Sequence, residues 1–186
     1  MLGRLGSFFL DILQVIVFAV AIFLFVYLLI LQPHKIKGQS MHPTFKDKEY
    51  LLTEKVSYRF NEPKRGDIVV FKAPPDDKEE FIKRIIGLPG DQVMVKGGKV
   101  YVNGKILGES SYLASDIVTI AGEYLAEGNP VTVKENEYIL MGDNRPHSFD
   151  SRNFGPIRKT KIVGRAWFRY WPISEVSVVK KPIYNF

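Results

Sequence analysis

From Ile12 to Leu31 the chain reads ILQVIVFAVAIFLFVYLLIL, twenty residues in which Gln14 is the strongly polar exception and no charge occurs. At ~1.5 Å rise per residue this makes ~30 Å of helix, the thickness of a bilayer's hydrocarbon core. A cleaved leader would carry a shorter apolar stretch, roughly 7–15 residues, closed by a small-x-small site. Here the run closes with Leu31-Gln-Pro-His34. The pattern predicts a retained transmembrane helix over 12–31 behind a short flank, 1–11.

Beyond residue 35 the period changes from continuous to alternating. Short β-rich runs recur at Tyr50–Val56, Asp67–Lys72, Phe81–Ile86, Glu137–Met141, Ile162–Tyr170 and Val176–Val179, most of them bounded by Gly, Pro, Asn or Asp. Gln92–Lys96, Gly97-Gly98 and Lys99–Asn103 spell a tight hairpin, and Gly104 with Lys105-Ile-Leu extends it into a meander. These signs predict a mainly β fold over 35–186, a coiled and mostly antiparallel sheet assembly in one domain. A stretch near 108–135 has fewer period-2 signals and reads as a small peripheral insertion.

Composition narrows the chemistry. The 186 residues leave room for one domain and an appendage. The net charge of +6 is spread over Lys/Arg runs no longer than two, which argues against a nucleic-acid patch and allows diffuse attraction to anionic lipid. With no cysteine and three histidines, no metal site and no cofactor is expected. Arg4 flanks one end of the apolar run and Lys35, Lys37, Lys46 and Lys48 the other, a count that favours an outside N-terminus, although a large domain can translocate regardless of such charges.

Three polar constellations remain. Ser40, in Gly38-Gln-Ser-Met-His-Pro-Thr44, sits a few residues past the membrane exit, as an ordinary turn residue or as a nucleophile. Lys83 and Arg84 interrupt an apolar strand that stops at Gly87-Leu-Pro-Gly-Asp91. Alternation puts Lys83 with Phe81 and Ile85, and Arg84 with Ile82 and Ile86. Both cations snorkel at an edge, or a desolvated Lys83 loses its proton and becomes a general base. The third, Gly142-Asp-Asn-Arg-Pro-His-Ser-Phe-Asp-Ser-Arg152, is either a polar connecting loop or a site stiffened by Asp143, Asp150, Arg145 and Arg152.

Together with the apolar helix and Arg65-Gly-Asp-Ile-Val-Val-Phe71, these motifs occur in the order found in bacterial type I signal peptidases, and the chain resembles that family, in its Gram-positive-like form, over essentially its whole length. The resemblance implies a membrane-bound serine endopeptidase that removes signal peptides from exported preproteins after a small-x-small motif. It makes Ser40 the nucleophile and Lys83 its general base, with Ser148 orienting the amine. Asp150, Asp143, Arg152 and Arg145 support the site, and Ile36, Met41, Phe81 and Ile82 line the substrate pockets. The oxyanion falls to the Ser40 N–H, with Gly38 at the position where many relatives add a hydroxyl. A preprotein and the lipid bilayer are the implied partners, with no nucleic acid and no metal. The family's topology is single-pass in the plasma membrane, N-terminus cytoplasmic and catalytic domain on the outer face, against the charge count above. His42 and His147 stand for the histidine-using branch and are read as loop residues. A desolvated lysine base wants no anion beside it, since that would stabilise the ammonium.

Two other functions fit parts of the pattern: a Ser/Lys self-cleaving repressor, which the membrane helix opposes, and a membrane-tethered noncatalytic β-domain binding peptides by strand addition. Strict alternation over Trp167–Trp171 would put Trp167, Arg169 and Trp171 on one face and Phe168 with Tyr170 on the other, as a core strand or as a membrane contact.

Overall fold

The computed structural model describes residues 2–114 and 116–184, with side chains from residue 6 onward. Met1, Ser115, Asn185, Phe186 and the Arg4 side chain, on which part of the charge count rests, lie outside the described residues. Helix α1, Leu2–Leu29, has its apolar stretch, Gly6–Leu29, outside the folded domain, with most of its side chains exposed. Its end falls two residues before Leu31, the expected boundary, because Leu31 already begins β1, Leu31–Lys35. Pro33 supplies the reason: it lacks an N–H and biases Gln32 toward extended backbone, so the helix cannot run on. The chain pairs at once with β2, Tyr50–Glu54, in an antiparallel ladder.

The remaining strands are β3 (Ile68–Lys72), β4 (Glu80–Gly87), β5 (Gln92–Lys96), β6 (Lys99–Val102), β7 (Lys105–Ile106), β8 (Val131–Thr132), β9 (Glu137–Met141), β10 (Ile157–Arg158), β11 (Ile162–Trp171) and β12 (Ser177–Val178). Apart from the two-residue strands β8 and β10, which no alternating run marks, they fall close to the predicted runs. One large antiparallel sheet has the order β1-β2-β11-β3-β4-β9-β10, with β12 added to β11, and a small one has the order β7-β6-β5-β8. The fold is thus mainly β with one N-terminal helix. The hairpin between β5 and β6 turns at Gly97 (φ +56°) and Gly98 (φ +77°), a pair of left-handed residues whose twist matches the strands they join.

The core is built where both sides of a strand are apolar. On one side of β4, Ile85 and Phe81 pack with Val69, Phe71, Tyr138 and Leu140. On the other, Ile82 joins Ile36, Met41, Phe45, Leu51 and Ile68. The small sheet closes over a third cluster around Val93, Val95, Val100 and Leu125. Within 108–135, Leu113, Thr119, Leu125 and Val133 are buried.

Strict alternation fails in β11. Its ladder with β2 has two irregularities, leaving Trp167 and Tyr170 as extra residues, while Phe168 faces Leu52, Arg169 faces Leu51 and Trp171 faces Tyr50. Trp171 therefore shares a side with Phe168, and Arg169 turns inward, where its guanidinium bonds the Glu49 carboxylate (3.0 Å) and the Glu175 carbonyl (2.8 Å). An inserted residue shifts the side-chain phase by one position, so a period-2 reading loses track past each bulge. Trp167 and Trp171 stay 39% and 50% exposed.

Candidate functional site

The turn after β1 and the strand β4 are brought together by the large sheet. Met41 and Phe45 anchor the turn in the core beneath it, which leaves Ser40 at the surface of a cleft. That cleft, about 670 Å³, is lined among others by Ile36, Ser40, Val70, Phe81, Ile82 and Lys83. Three of the expected pocket residues, Ile36, Phe81 and Ile82, do line it. Met41 is buried below and does not, since its side chain serves the core that holds the turn in place.

Inside the cleft Lys83 Nζ lies 2.7 Å from Ser40 Oγ and 3.0 Å from the Ile82 carbonyl oxygen. The residue is only 3% exposed. Burial strips water from its ammonium and pulls the pKa down from 10.5 to about 8, while Asp150 and Asp143 push it back up and Arg152 down again. An anion-free setting is therefore not what the fold provides. Two carboxylates stand within electrostatic reach, each tied to its own arginine, and desolvation still dominates. At pH 7 such an amine is neutral in about a tenth of molecules, roughly 300-fold more than an unperturbed lysine.

The two arginine–carboxylate pairs come from the strand and the loop that frame the site. Arg84, next to Lys83 on β4, bonds Asp143 through Nε (2.8 Å) and Nη2 (2.6 Å), with its Nη1 on the Gly66 carbonyl (3.0 Å). Thr44 Oγ1 donates to the same Asp143 (2.5 Å), tying the nucleophile's turn to the loop after β9. Burial alone would lower the Arg84 pKa, but the bonds and charge of Asp143 hold it above its ordinary value. Asp150 caps the short helix α2, Ser151–Phe154, and its Oδ1 and Oδ2 take Arg152 Nε and Nη2 at 2.8 and 2.9 Å. Arg145 is also buried, and its guanidinium meets the Glu109 carboxylate and Thr119 Oγ1.

One expected contact does not form in this arrangement, and the N–H at the open oxyanion position is already taken. Ser148 Oγ is buried with no hydrogen-bond partner among the described residues, so it does not hold the lysine amine. The Gly38 N–H donates to Asp47 Oδ1 (2.9 Å) and is not free for an oxyanion. By contrast, no acceptor among the described residues takes the Ser40 N–H. His42 and His147 are exposed, and neither lines the cleft.

Glu109, Thr44, Tyr112 and the exposed cleft residue Phe149 were not among the sequence candidates, and all four touch the site or its supports. The one signal for Glu109 is indirect: a buried Arg145 demands a carboxylate from somewhere.

Residues 9–171 match the model of a protein family described as signal peptidase, peptidase S26. The chain belongs to that family. A "Probable signal peptidase I-2" of Synechocystis sp. is 44% identical over 149 residues, 77% of this chain and 65% of that protein, a little under two thirds of its length. A "Signal peptidase IB" of Staphylococcus aureus is 39% identical over 168 residues, 84% of this chain and 83% of that one. A crystal structure of a signal peptidase I from Enterococcus faecalis is 31% identical, with a TM-score of 0.47, covering 56% of this chain and 97% of that one. Membership makes the exposed helix α1 of this signal peptidase a membrane anchor in reading as well as in composition.

Proposed function

We propose that this signal peptidase cleaves exported preproteins with a Ser40–Lys83 dyad. The observation that carries the reading is the 2.7 Å contact between Ser40 Oγ and a buried amine whose pKa is drawn down to about 8. As Ser40 Oγ attacks the scissile carbonyl carbon, neutral Lys83 takes the hydroxyl proton. The charge that develops on the carbonyl oxygen meets the Ser40 N–H. Collapse of the tetrahedral intermediate breaks the C–N bond, and Lys83 returns the proton to the departing amine. A water then gives a proton to Lys83 as its oxygen bonds the acyl carbon, and collapse of this second intermediate breaks the ester C–Oγ bond while Lys83 returns the proton to Ser40 Oγ, which frees the serine and the signal peptide's new carboxyl group.

The cleft supports the small-x-small preference. Ile36, Phe81 and Ile82 crowd its wall beside the dyad, so side chains next to the scissile bond must be small if the peptide is to lie extended along β4. Desolvation also makes a lysine base workable beside a bilayer. We place the N-terminus inside and the domain outside. The exposed Trp171 and Trp167, on β11 two strands away from β1, are suited to the headgroup level.

The deciding experiment incubates the purified full chain, in detergent or lipid, with a preprotein in excess EDTA, and maps the new N-terminus. A cut after a small-x-small motif, lost in Ser40→Ala, is expected. A folded wild-type chain that leaves the preprotein intact would favour a tethered peptide-binding domain, and activity restored only by added metal would remove the dyad.

A further inference from the structure

The turn from Glu109 to Leu113, in which the Tyr112 and Leu113 N–H groups both return to the Glu109 carbonyl, lies far from any sequence motif. Yet it reaches two of the three buried arginines around the loop after β9, Arg145 and Arg84. Glu109 takes Arg145 on both carboxylate oxygens, 3.0 Å on Oε2 and closer on Oε1. Tyr112 lays its ring under Arg84, with the guanidinium carbon 4.1 Å from the ring centroid. The Tyr112 hydroxyl then donates to Glu109 Oε1 (2.7 Å), which joins the two contacts into one unit. Tyr184 Oη donates in turn to Tyr112 Oη at 3.2 Å.

What these arginines hold is the loop after β9 and the turn at Thr44, the two segments that position the nucleophile. Arg145 Nε donates to the Gly142 carbonyl (3.0 Å), while the Gly142 N–H donates to Asp150 (2.9 Å), so the peptide groups on either side of Gly142 are both held. Gly142 has no slack: a Cβ there would stand 2.2 Å from Ser148 Oγ and 2.5 Å from the Ser40 carbonyl oxygen. Two residues on, the Asn144 N–H donates to that same Ser40 carbonyl (3.0 Å) and Asn144 Nδ2 to the Gln39 carbonyl (3.0 Å). Arg84 reaches the nucleophile's turn from the other side, through Asp143 and Thr44.

We infer that the Glu109–Tyr112 turn is a positioning clip, which locks Arg145 and Arg84 and thereby fixes where Ser40 Oγ stands relative to Lys83 Nζ. Neither residue touches substrate. Their contribution is to kcat, because a displacement of the order of 1 Å between reacting groups costs up to about a hundredfold while the cleft wall of Ile36, Phe81 and Ile82 is untouched.

The inference rests on Ser40–Lys83 being the dyad, and the test separates the two. In full-length protein, Glu109→Gln and Tyr112→Leu are compared with wild type and Ser40→Ala on one preprotein, with thermal unfolding followed by circular dichroism. Both variants should lose about tenfold to a hundredfold in kcat with KM within about twofold, and Tyr112→Phe, which keeps the ring on Arg84 but drops the bond to Glu109, should fall between Tyr112→Leu and wild type. Folded variants with unchanged kcat, or a loss confined to KM, would overturn the clip while an inactive Ser40→Ala upholds the dyad. An active Ser40→Ala would instead remove the dyad. If Glu109→Gln does not fold, Thr119→Val, which removes one Arg145 partner and leaves the carboxylate, together with Tyr112→Leu decides the matter by the same split between kcat and KM.

Discussion

Lys83 and Arg84 are neighbours on one strand, equally buried at 3% and 2% exposed, and their surroundings treat their charges in opposite ways. Across β3, Lys83 is opposite Val69 and Arg84 opposite Ile68, so the pleat sends them to different sides of the sheet. On the Lys83 side wait a serine hydroxyl, one carbonyl and the face of Phe81, whose centroid is 5.3 Å from Nζ. On the Arg84 side wait a bidentate carboxylate, a carbonyl and the Tyr112 ring. One cation is driven toward neutrality and the other is fixed as a charge. Burial alone does not set protonation; what decides it is whether burial comes with a partner.

The contrast is broken most severely by making the Lys83 side behave like its neighbour. Lys83→Arg should be as inactive as Lys83→Ala, a loss of about 10³-fold or more in kcat/KM, because a guanidinium keeps its protons at any working pH. Turnover by Lys83→Arg above a hundredth of wild type, measured on protein shown to be folded, would end the general-base assignment. The task would then fall not to His42 or His147, which lie outside the cleft, but to His34, which lines it with its ring tied to Thr53 and Glu80.

Breaking the Arg84 side has two arms of opposite sign. Arg84→Met leaves Asp143 buried without its main partner, which should cost about 3–5 kcal/mol of stability and expose Lys83 to a bare anion. The Lys83 pKa should rise, so the acid limb of kcat/KM moves to higher pH and activity at pH 7 falls. Asp143→Asn removes an anion that now raises the Lys83 pKa, and the limb should move to lower pH, although the orphaned Arg84 destabilises the fold. Limbs that shift together, or not at all, would show that Asp143 does not act on the lysine's charge.

Much of this was readable in advance. The alternating runs match β2, β3, β4, β9, β11 and β12 of the large sheet to within a residue or two but miss β1 and β10, and pleat geometry puts Lys83 on the side of Phe81 and Ile85. Resemblance, rather than pattern, put Ser40 with Lys83. Three features resisted. The end of α1 is set by Pro33 and by the ladder that β2 offers to β1, neither of which a hydropathy window weighs. The bulges in β11 leave no mark in composition, so strict alternation groups Arg169 with Trp171, from which the register separates it. Glu109 and Tyr112 work through residues more than 25 positions away in sequence, in a segment without periodicity, and only the folded chain shows what they touch.

The comparison is sharpened by titrating the wild type. A Lys83 amine with a pKa of about 8 predicts kcat/KM that rises tenfold per pH unit below that value and levels off above it, since the neutral form is the active one and accumulates as pH rises. The profile for a fixed preprotein over pH 6 to 10 reads this directly. A limb near 10 would mean that the lysine is solvated in the working enzyme, and a limb near 6.5 would point to an imidazole.

The smallest effect is expected at Ser148, where the structure and the resemblance part company. A serine that orients the amine should cost a measurable fraction of kcat when its hydroxyl is removed, while its buried Oγ has no partner in the free enzyme to lose. Removing an unsatisfied buried hydroxyl relieves a desolvation penalty of about 1–3 kcal/mol, so Ser148→Ala should melt no lower than wild type, and higher if the loop does not relax. If the hydroxyl engages Lys83 only once a peptide fills the cleft, kcat falls by about tenfold while stability stays level or rises. Pairing the melting curve with the pH–rate profile separates the roles. A lower melting temperature would show that Ser148 is bonded in the resting protein, and unchanged kcat would leave Ser40 and Lys83 to act without it.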